Sequence, residues 1–286
     1  MKKVIALISD LDDSLIEDTS TKLVASRGID PGKFWGETVK ELVTDGWDPT
    51  LAYLSKIVEL SGEGRPLGRL TNADLRAFGA TLDTAEFFPG VDGLRAELQA
   101  VASKISSEIV VEFYVISGGI LPILEGSPVL QRNCNAVYAN QFDEDPAKGI
   151  TRLKRVVTFT EKTRILFEIN KGITPAQSAA NPYLVNKEAS ANDRRVAFEN
   201  MIYMGDGLTD IASFSLVKAR GGYTFGLFNP AKAESANRAL NEFIAGDRVT
   251  AAHAPRFGKD DELGSILRAT VATIAKRITS GASTIT

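Results

Sequence analysis

Three short apolar runs in this chain each end abruptly in acidic or glycine-rich residues, roughly 100 residues apart. That repeated arrangement limits the fold more than any other feature. Val4 to Ile8 stops at Asp10-Leu11-Asp12-Asp13-Ser14, Ile109 to Ile116 stops at Ser117-Gly118-Gly119, and Met201 to Met204 stops at Gly205-Asp206-Gly207-Leu208-Thr209-Asp210. A continuous apolar run of about four to eight residues reads as a strand covered on both faces, the habit of parallel sheets. Helical patterns lie between the runs. Strands alternating with helices predict an α/β fold, a Rossmann-like doubly wound parallel sheet, in which ligands gather outside the carboxyl ends of the strands. The three polar clusters are therefore expected to meet in one crevice.

The segment after the first cluster departs from this alternation. From about Thr19 to Phe87 the spacing is helical, with Phe34, Trp35, Thr38, Val39, Leu42 and Val43 on one face and Leu51, Leu54, Ile57 and Val58 repeating it. Asp30-Pro31-Gly32, Asp48-Pro49 and Ser61 to Pro66 punctuate it, and Thr71-Asn72-Ala73-Asp74 opens another helix. The pattern predicts an α-helical cap, residues 18–87, inserted after the first strand of a core made of residues 1–17 and 88–286. Further along, Val91 to Val101 predicts a helix, Ala136 to Ala139 a third short strand, and Arg155 to Thr160 a β segment leading into a helix over Glu161 to Lys171. Gly172 to Asn192 reads as a long loop or hairpin. Tyr223 to Phe228 predicts a last strand, followed by helices over Pro230 to Ile244 and Asp261 to Ile278, and Ser280 to Thr286 a frayed tail.

Composition narrows the chemistry. The single Cys134 and single His253 leave no Cys/His set for a structural zinc, so a bound metal must be held by oxygen. A net charge of −3 lacks the basic excess that a phosphate backbone demands, which argues against nucleic acid as a partner. The apolar run near the start is shorter than a signal core of roughly 7–15 residues, and no window approaches a membrane span of about 20. The expectation is a cytoplasmic protein with no membrane partner.

Carboxylates forced together repel unless they are protonated or bridged by a cation. All-oxygen ligation favours magnesium, which binds one or two carboxylates together with substrate phosphate. A carboxylate can also attack phosphorus and form an aspartyl-phosphate. The clusters thus read as a phosphoryl-transfer site.

Asp10 to Ser14, Ile116 to Gly119 and Tyr203 to Asp210 together resemble, in order, motifs one, two and four of the haloacid dehalogenase-like (HAD) hydrolase superfamily. The usual first motif is Asp-x-Asp-x-Thr or Val, and Ser14 is a mild departure. The resemblance implies Asp10 as nucleophile and Asp12 as the acid that protonates the leaving oxygen and then activates water. It implies Mg2+ held by Asp10, the Asp12 backbone carbonyl and Asp206, with Asp210 a further ligand or an orienter. Ser117 and the amide of Gly118 would hold phosphoryl oxygens. Lys162 is taken as the third-motif lysine, with Lys171, Lys148 and Lys187 as competitors.

Branches of the superfamily that do not cleave phosphate esters lack an acid at the position of Asp12, so the resemblance implies a phosphatase acting on a small phosphorylated metabolite. A phosphomutase is the nearest alternative. Phosphoserine phosphatases resemble this chain in cap position, but carry a substrate-binding Glu nine residues after the nucleophile, where Thr19 stands here. A phospho-signalling receiver has no comparable helical insertion. A catalytically silent binding protein is the rival outside enzymology, and the retention of both Asp10 and Asp12 speaks against it.

Other conspicuous residues are read structurally. Asp13 is expected to point away from the site, Trp35 and Trp47 to fill the cap core, Arg194-Arg195 to be a solvated pair, Cys134 to be a buried small side chain, and His253 to have no function. The stripe Leu263, Ile266, Leu267, Val271, Ile274 and Ile278 reads as core packing, with a homodimer seam as the alternative.

Overall fold

The computed structural model describes residues 3–190 and 193–281. Seven strands form one sheet: β1 (Lys3–Ser9), β2 (Ile109–Ile120), β3 (Ala136–Asp145), β4 (Gly149–Arg155), β5 (Met201–Gly205), β6 (Tyr223–Leu227) and β7 (Ala251–His253). Their order is β4-β3-β2-β1-β5-β6-β7, and every pairing is parallel except the β3–β4 hairpin. The strand order reverses at β1, which lies between β2 and β5. This is the doubly wound α/β fold expected from the alternation of runs.

β1 is apolar throughout because both of its faces are covered. Ile5 and Leu7 belong to one buried cluster, and Val4, Ala6 and Ile8 belong to another on the opposite face. Adjacent residues of a strand point to opposite sides, so a continuous run can serve two cores. The first cluster takes Leu94 and Leu98 from α5 (Leu94–Ser103) and Leu263, Leu267, Val271 and Ile274 from the C-terminal helix, Glu262–Ser280. The second takes Ile165, Leu166 and Ile169 from the helix Phe159–Lys171, and Phe214 and Val217 from the helix Ile211–Ala219. Each fully buried Leu or Ile contributes about 1.5–3 kcal/mol. The C-terminal stripe is therefore core: its four central members are 0–1% exposed, with Ile266 and Ile278 packed against them.

Between β1 and α5 the chain is helical. It forms α1 (Thr19–Ser26), then α2, which runs from Pro31–Lys33 through π-helical Phe34–Val39 to Lys40–Thr44, then α3 (Pro49–Leu60) and α4 (Asn72–Gly79). The helix starts in this segment are capped. Asp18, Asp30 and Asp48 each accept backbone N–H groups of the following first turn, and Thr71 with Asp74 makes a reciprocal capping box. Leu23, Val24, Phe34, Ala52, Leu54 and Ile57 from this segment belong to the same buried cluster as Ile5 and Leu7. The insertion thus shares one continuous apolar interior with the face of the sheet that it covers.

Several local expectations are corrected. β2 does not end at Ser117-Gly118-Gly119. It continues to Ile120, and an irregularity in its pairing with β3 falls between Ile116 and Ile120. The β segment lies at Gly149–Arg155, before Arg155–Thr160, as the return arm of a hairpin whose turn is held by Asp145 accepting from Ala147 and Lys148 N–H. The polar Thr151, Arg152, Lys154 and Arg155 conceal an edge strand with few apolar residues. Gly172–Asn192 contains a helix, Pro175–Ala180, started by the Thr174–Gln177 capping box; Asn192 itself lies outside the described residues, as do residues 282–286 of the expected frayed tail. β7 has only three residues and no β-branched member, so nothing announces it.

Candidate active site

The position of β1 explains why residues far apart in sequence meet. Asp10 follows β1, Asp206 follows β5, and Ser117 to Gly119 lie near the end of β2, so three neighbouring parallel strands deliver all three clusters to their carboxyl ends. The Asp10 N–H donates to the Met204 carbonyl at 2.9 Å, fastening the first cluster to β5.

Asp10, Asp206 and Asp210 offer carboxylate oxygens that all lie within 4.8 Å of one another, and each side chain is buried. The Lys162 ammonium enters this group from α8 (Phe159–Lys171), with α6 (Leu121–Gly126) and α7 (Pro128–Asn133) preceding it. It stands 3.1 Å from Asp10 Oδ2 and 2.8 Å from Asp210 Oδ1, and its side chain is 2% exposed. Arg238 reaches the other side and donates to Asp206 Oδ2 at 3.2 Å. Burial pushes the Asp10 carboxyl up to about 6, with Lys162 opposing the shift and Asp210 adding to it. Asp206 is held well above the usual carboxylate range by burial and then by Asp10 and Asp210. Burial works against the Lys162 charge, but Asp10 and Asp210 outweigh it and strengthen its hold on the proton. Lys162 and Arg238 offset the mutual repulsion of these hard oxygen donors only in part, since Asp10 and Asp206 are still raised, and the set fits a divalent cation of the magnesium type.

Asp12 is half-buried beside this group. Its Oδ1 accepts from the Thr19 N–H at 2.7 Å, and its Oδ2 lies 3.5 Å from Ser117 Oγ. Burial raises it well above the ordinary carboxylate value, and Asp18 adds to the effect. Ser117 Oγ in turn accepts from the Gly119 N–H at 2.8 Å. Gly118 contributes its carbonyl to a different network, in which it accepts from Tyr53 Oη of α3 and Asn140 Nδ2 of β3. Asn140 Oδ1 accepts from the Val157 N–H at 2.6 Å, so one side chain ties the insertion to both sides of the hairpin entry.

Gly205 has a definite task. A Cβ there would overlap the Asp210 carboxylate, so only glycine lets that side chain fold back against β5. Asp210 also accepts from Tyr203 Oη at 2.7 Å and from the Gly207 N–H at 3.1 Å. Ser14 Oγ lies 3.4 Å from Asp206 Oδ1, a role that its hydroxyl shares with the more usual Thr.

A cavity of about 210 Å³ opens onto Asp10 and Asp12, and its other walls are Asp18, Ser20, Trp35, Pro49, Thr50, Tyr53, Gly118 and Thr209. Of the seven residues singled out from sequence, Asp10, Asp12 and Gly118 line it, Ser117 lies beside Asp12, and Lys162, Asp206 and Asp210 gather around Asp10. Of the competing lysines, Lys171 is spent on the carbonyls of Val185 and Lys187, and Lys148 sits on the β3–β4 turn. Asp13 faces away: it adopts φ 56° and lines a separate depression with Glu17, Lys232 and Arg256.

Three structural readings change. Trp35 packs against the core but also lines the cavity, and Trp47 is 44% exposed, so neither is simply cap core. Arg195 is not a solvated partner of Arg194; it forms a bidentate pair with the buried Glu112 of β2. Tyr53, Asn140, Asp18 and Arg238 have no sequence signal, since none belongs to a local motif; only the fold brings them here.

No protein-family model matches the chain. An uncharacterised protein of Borreliella burgdorferi is 26% identical over 238 residues, 76% of this chain and 79% of that protein. Among solved structures, a probable phosphoserine phosphatase from Vibrio cholerae superposes with a TM-score of 0.56 at 16% identity, covering 97% of this chain and 67% of its own. A substrate-bound phosphoserine phosphatase gives 0.54 at 15% identity, covering 94% and 99%. A HAD family hydrolase from Salmonella enterica serovar Typhi gives 0.52 at 15%, covering 89% and 69%. At these identities the likeness speaks to the fold: the chain has the architecture of HAD-type hydrolases, as the ordered motifs imply.

Proposed function

We propose that this HAD-type fold carries a phosphatase that hydrolyses a small phosphomonoester through an aspartyl-phosphate at Asp10. The observation that carries the reading is the Lys162 ammonium, buried and shared between Asp10 and Asp210. A nucleophilic carboxylate approaching a phosphoryl group needs positive charge on its flank, and Lys162 supplies it without solvent access. Asp10, Asp206 and the Asp12 carbonyl would hold Mg2+, which when bound offsets the negative charge of both reactants. Asp210 would orient Lys162.

An Asp10 carboxylate oxygen attacks phosphorus as the ester P–O bond breaks. Asp12 gives its proton to the departing alkoxide. Asp12 then takes a proton from water, whose oxygen attacks phosphorus and breaks the bond to Asp10, releasing inorganic phosphate and restoring both acids. Ser117 Oγ and the Gly118 amide hold phosphoryl oxygens. The helical segment 18–87 acts as the cap, because Trp35, Pro49, Thr50 and Tyr53 close the cavity and limit water around the reacting atoms.

The test is phosphate release from p-nitrophenyl phosphate with Mg2+ present. Wild type should turn over, and EDTA should stop it until Mg2+ is restored. Asp10→Asn should show at least a thousandfold loss with an unchanged circular dichroism spectrum; an Asp10→Asn protein with wild-type turnover would refute the nucleophile.

A further inference from the structure

We propose that the cavity selects phosphomonoesters whose alcohol carries an ammonium group, and that Asp18, Trp35 and Tyr53 recognise that charge; this rests on the phosphatase reading above. Beyond Asp10, Asp12, Gly118 and Thr209, the cavity wall comes from the start of α1 and from α2 and α3. No lysine, arginine or histidine lines it among the described residues, because Lys162 is turned to Asp10 and Asp210. Asp18 accepts from the Thr21 N–H and has no cationic partner among the described residues.

The rings of Trp35 and Tyr53 stand 5.5 Å apart, tilted by 49°. Their polar tips are engaged elsewhere: Trp35 Nε1 donates to Thr21 Oγ1 at 2.8 Å, and Tyr53 Oη donates to the Gly118 carbonyl. With those atoms occupied, what the two side chains leave for the cavity is aromatic ring carbon. An unpaired carboxylate beside two such surfaces attracts a cation by charge and by the ring quadrupoles together. A leaving group with its own carboxylate would meet Asp18 with no counter-charge among the lining residues. A neutral one would take water from Asp18 and return nothing. The volume of about 210 Å³ is roughly seven times a water's ~30 Å³ share of liquid, which suits a phosphoryl group on a short chain.

The experiment compares kcat/KM for choline phosphate with that for 3,3-dimethylbutyl phosphate, which has the same shape with carbon in place of the charged nitrogen. p-Nitrophenyl phosphate is the control. Wild type should favour the choline ester at least tenfold. Asp18→Asn, which keeps a capping side chain at the start of α1, should bring the ratio close to one, and Trp35→Leu should lower it. Because the readout is a ratio within one variant, a general loss of activity does not disturb it. A wild-type ratio near one, or a ratio that Asp18→Asn leaves unchanged, overturns the assignment. Cleavage of the aryl ester with neither alkyl ester cleaved overturns it too, and spares the phosphatase reading. No release from any of the three overturns both.

Discussion

At the scale of single residues, the chain separates reactive from inert groups by what surrounds them. Asp10 is buried beside Lys162 and Asp206 beside Arg238, and their protonation reflects burial and that company. Cys134 is half-buried, and burial pushes its thiol up to about 12 against the pull of Arg95. A raised thiol pKa means that the folded state keeps a proton which the unfolded chain releases. Its contribution to stability is present below about pH 8.5 and is lost as the pH climbs toward 12. At pH 8 the native thiol should react with iodoacetamide on the order of a thousandfold more slowly than the same thiol in urea, since only thiolate attacks. Equal rates, followed by mass spectrometry, would contradict the protected setting.

At the scale of elements, one partly buried ion pair adds to the apolar burial that holds the sheet together. Glu112 lies in the middle of β2 with its side chain 4% exposed, where Tyr114 Oη donates to it at 2.6 Å and Arg195, just before β5, pairs with it. Removing a single partner of a buried pair leaves an uncompensated charge, which costs about 3–5 kcal/mol. Arg195 is partly solvated, so Arg195→Ala should cost nearer about 2 kcal/mol, measured by urea unfolding. A change within error would make the pair incidental. Glu112 also shows what could be read beforehand and what could not. It looks like an interruption of an apolar run, and its partner lies 83 residues away, so no local pattern announces the pair. The strands that carry Asp10 and Asp206 were legible because burial on both faces writes itself as an unbroken apolar run. β4 and β7, at the edges, need no such run and left no mark. Lys162 was legible through the motif resemblance, whereas Tyr53 and Asn140 gain their places only from the packing of α3 on β3.

Considered as a whole, the molecule has no apolar boundary between the insertion and the sheet face beneath it, since Leu23, Phe34 and Leu54 share one cluster with Leu7 and Leu267. Both tryptophans, Trp35 and Trp47, lie in the insertion. Tryptophan fluorescence therefore reports the insertion, while far-ultraviolet dichroism reports the whole chain. With a shared interior the two urea transitions should coincide, as all-or-none unfolding requires. A fluorescence midpoint clearly below the dichroism midpoint would mean that the helices come away first.

The central place of β1 has one more consequence, which concerns time. Asp10 emerges from synthesis about 150 residues ahead of Lys162 and about 196 ahead of Asp206. Pairings so distant along the chain form late. Until β5 docks on its flank, a newly made copy carries its foremost acid bare, with neither the ammonium nor the companion carboxylates at hand; chemical competence is the last thing a ribosome's product acquires.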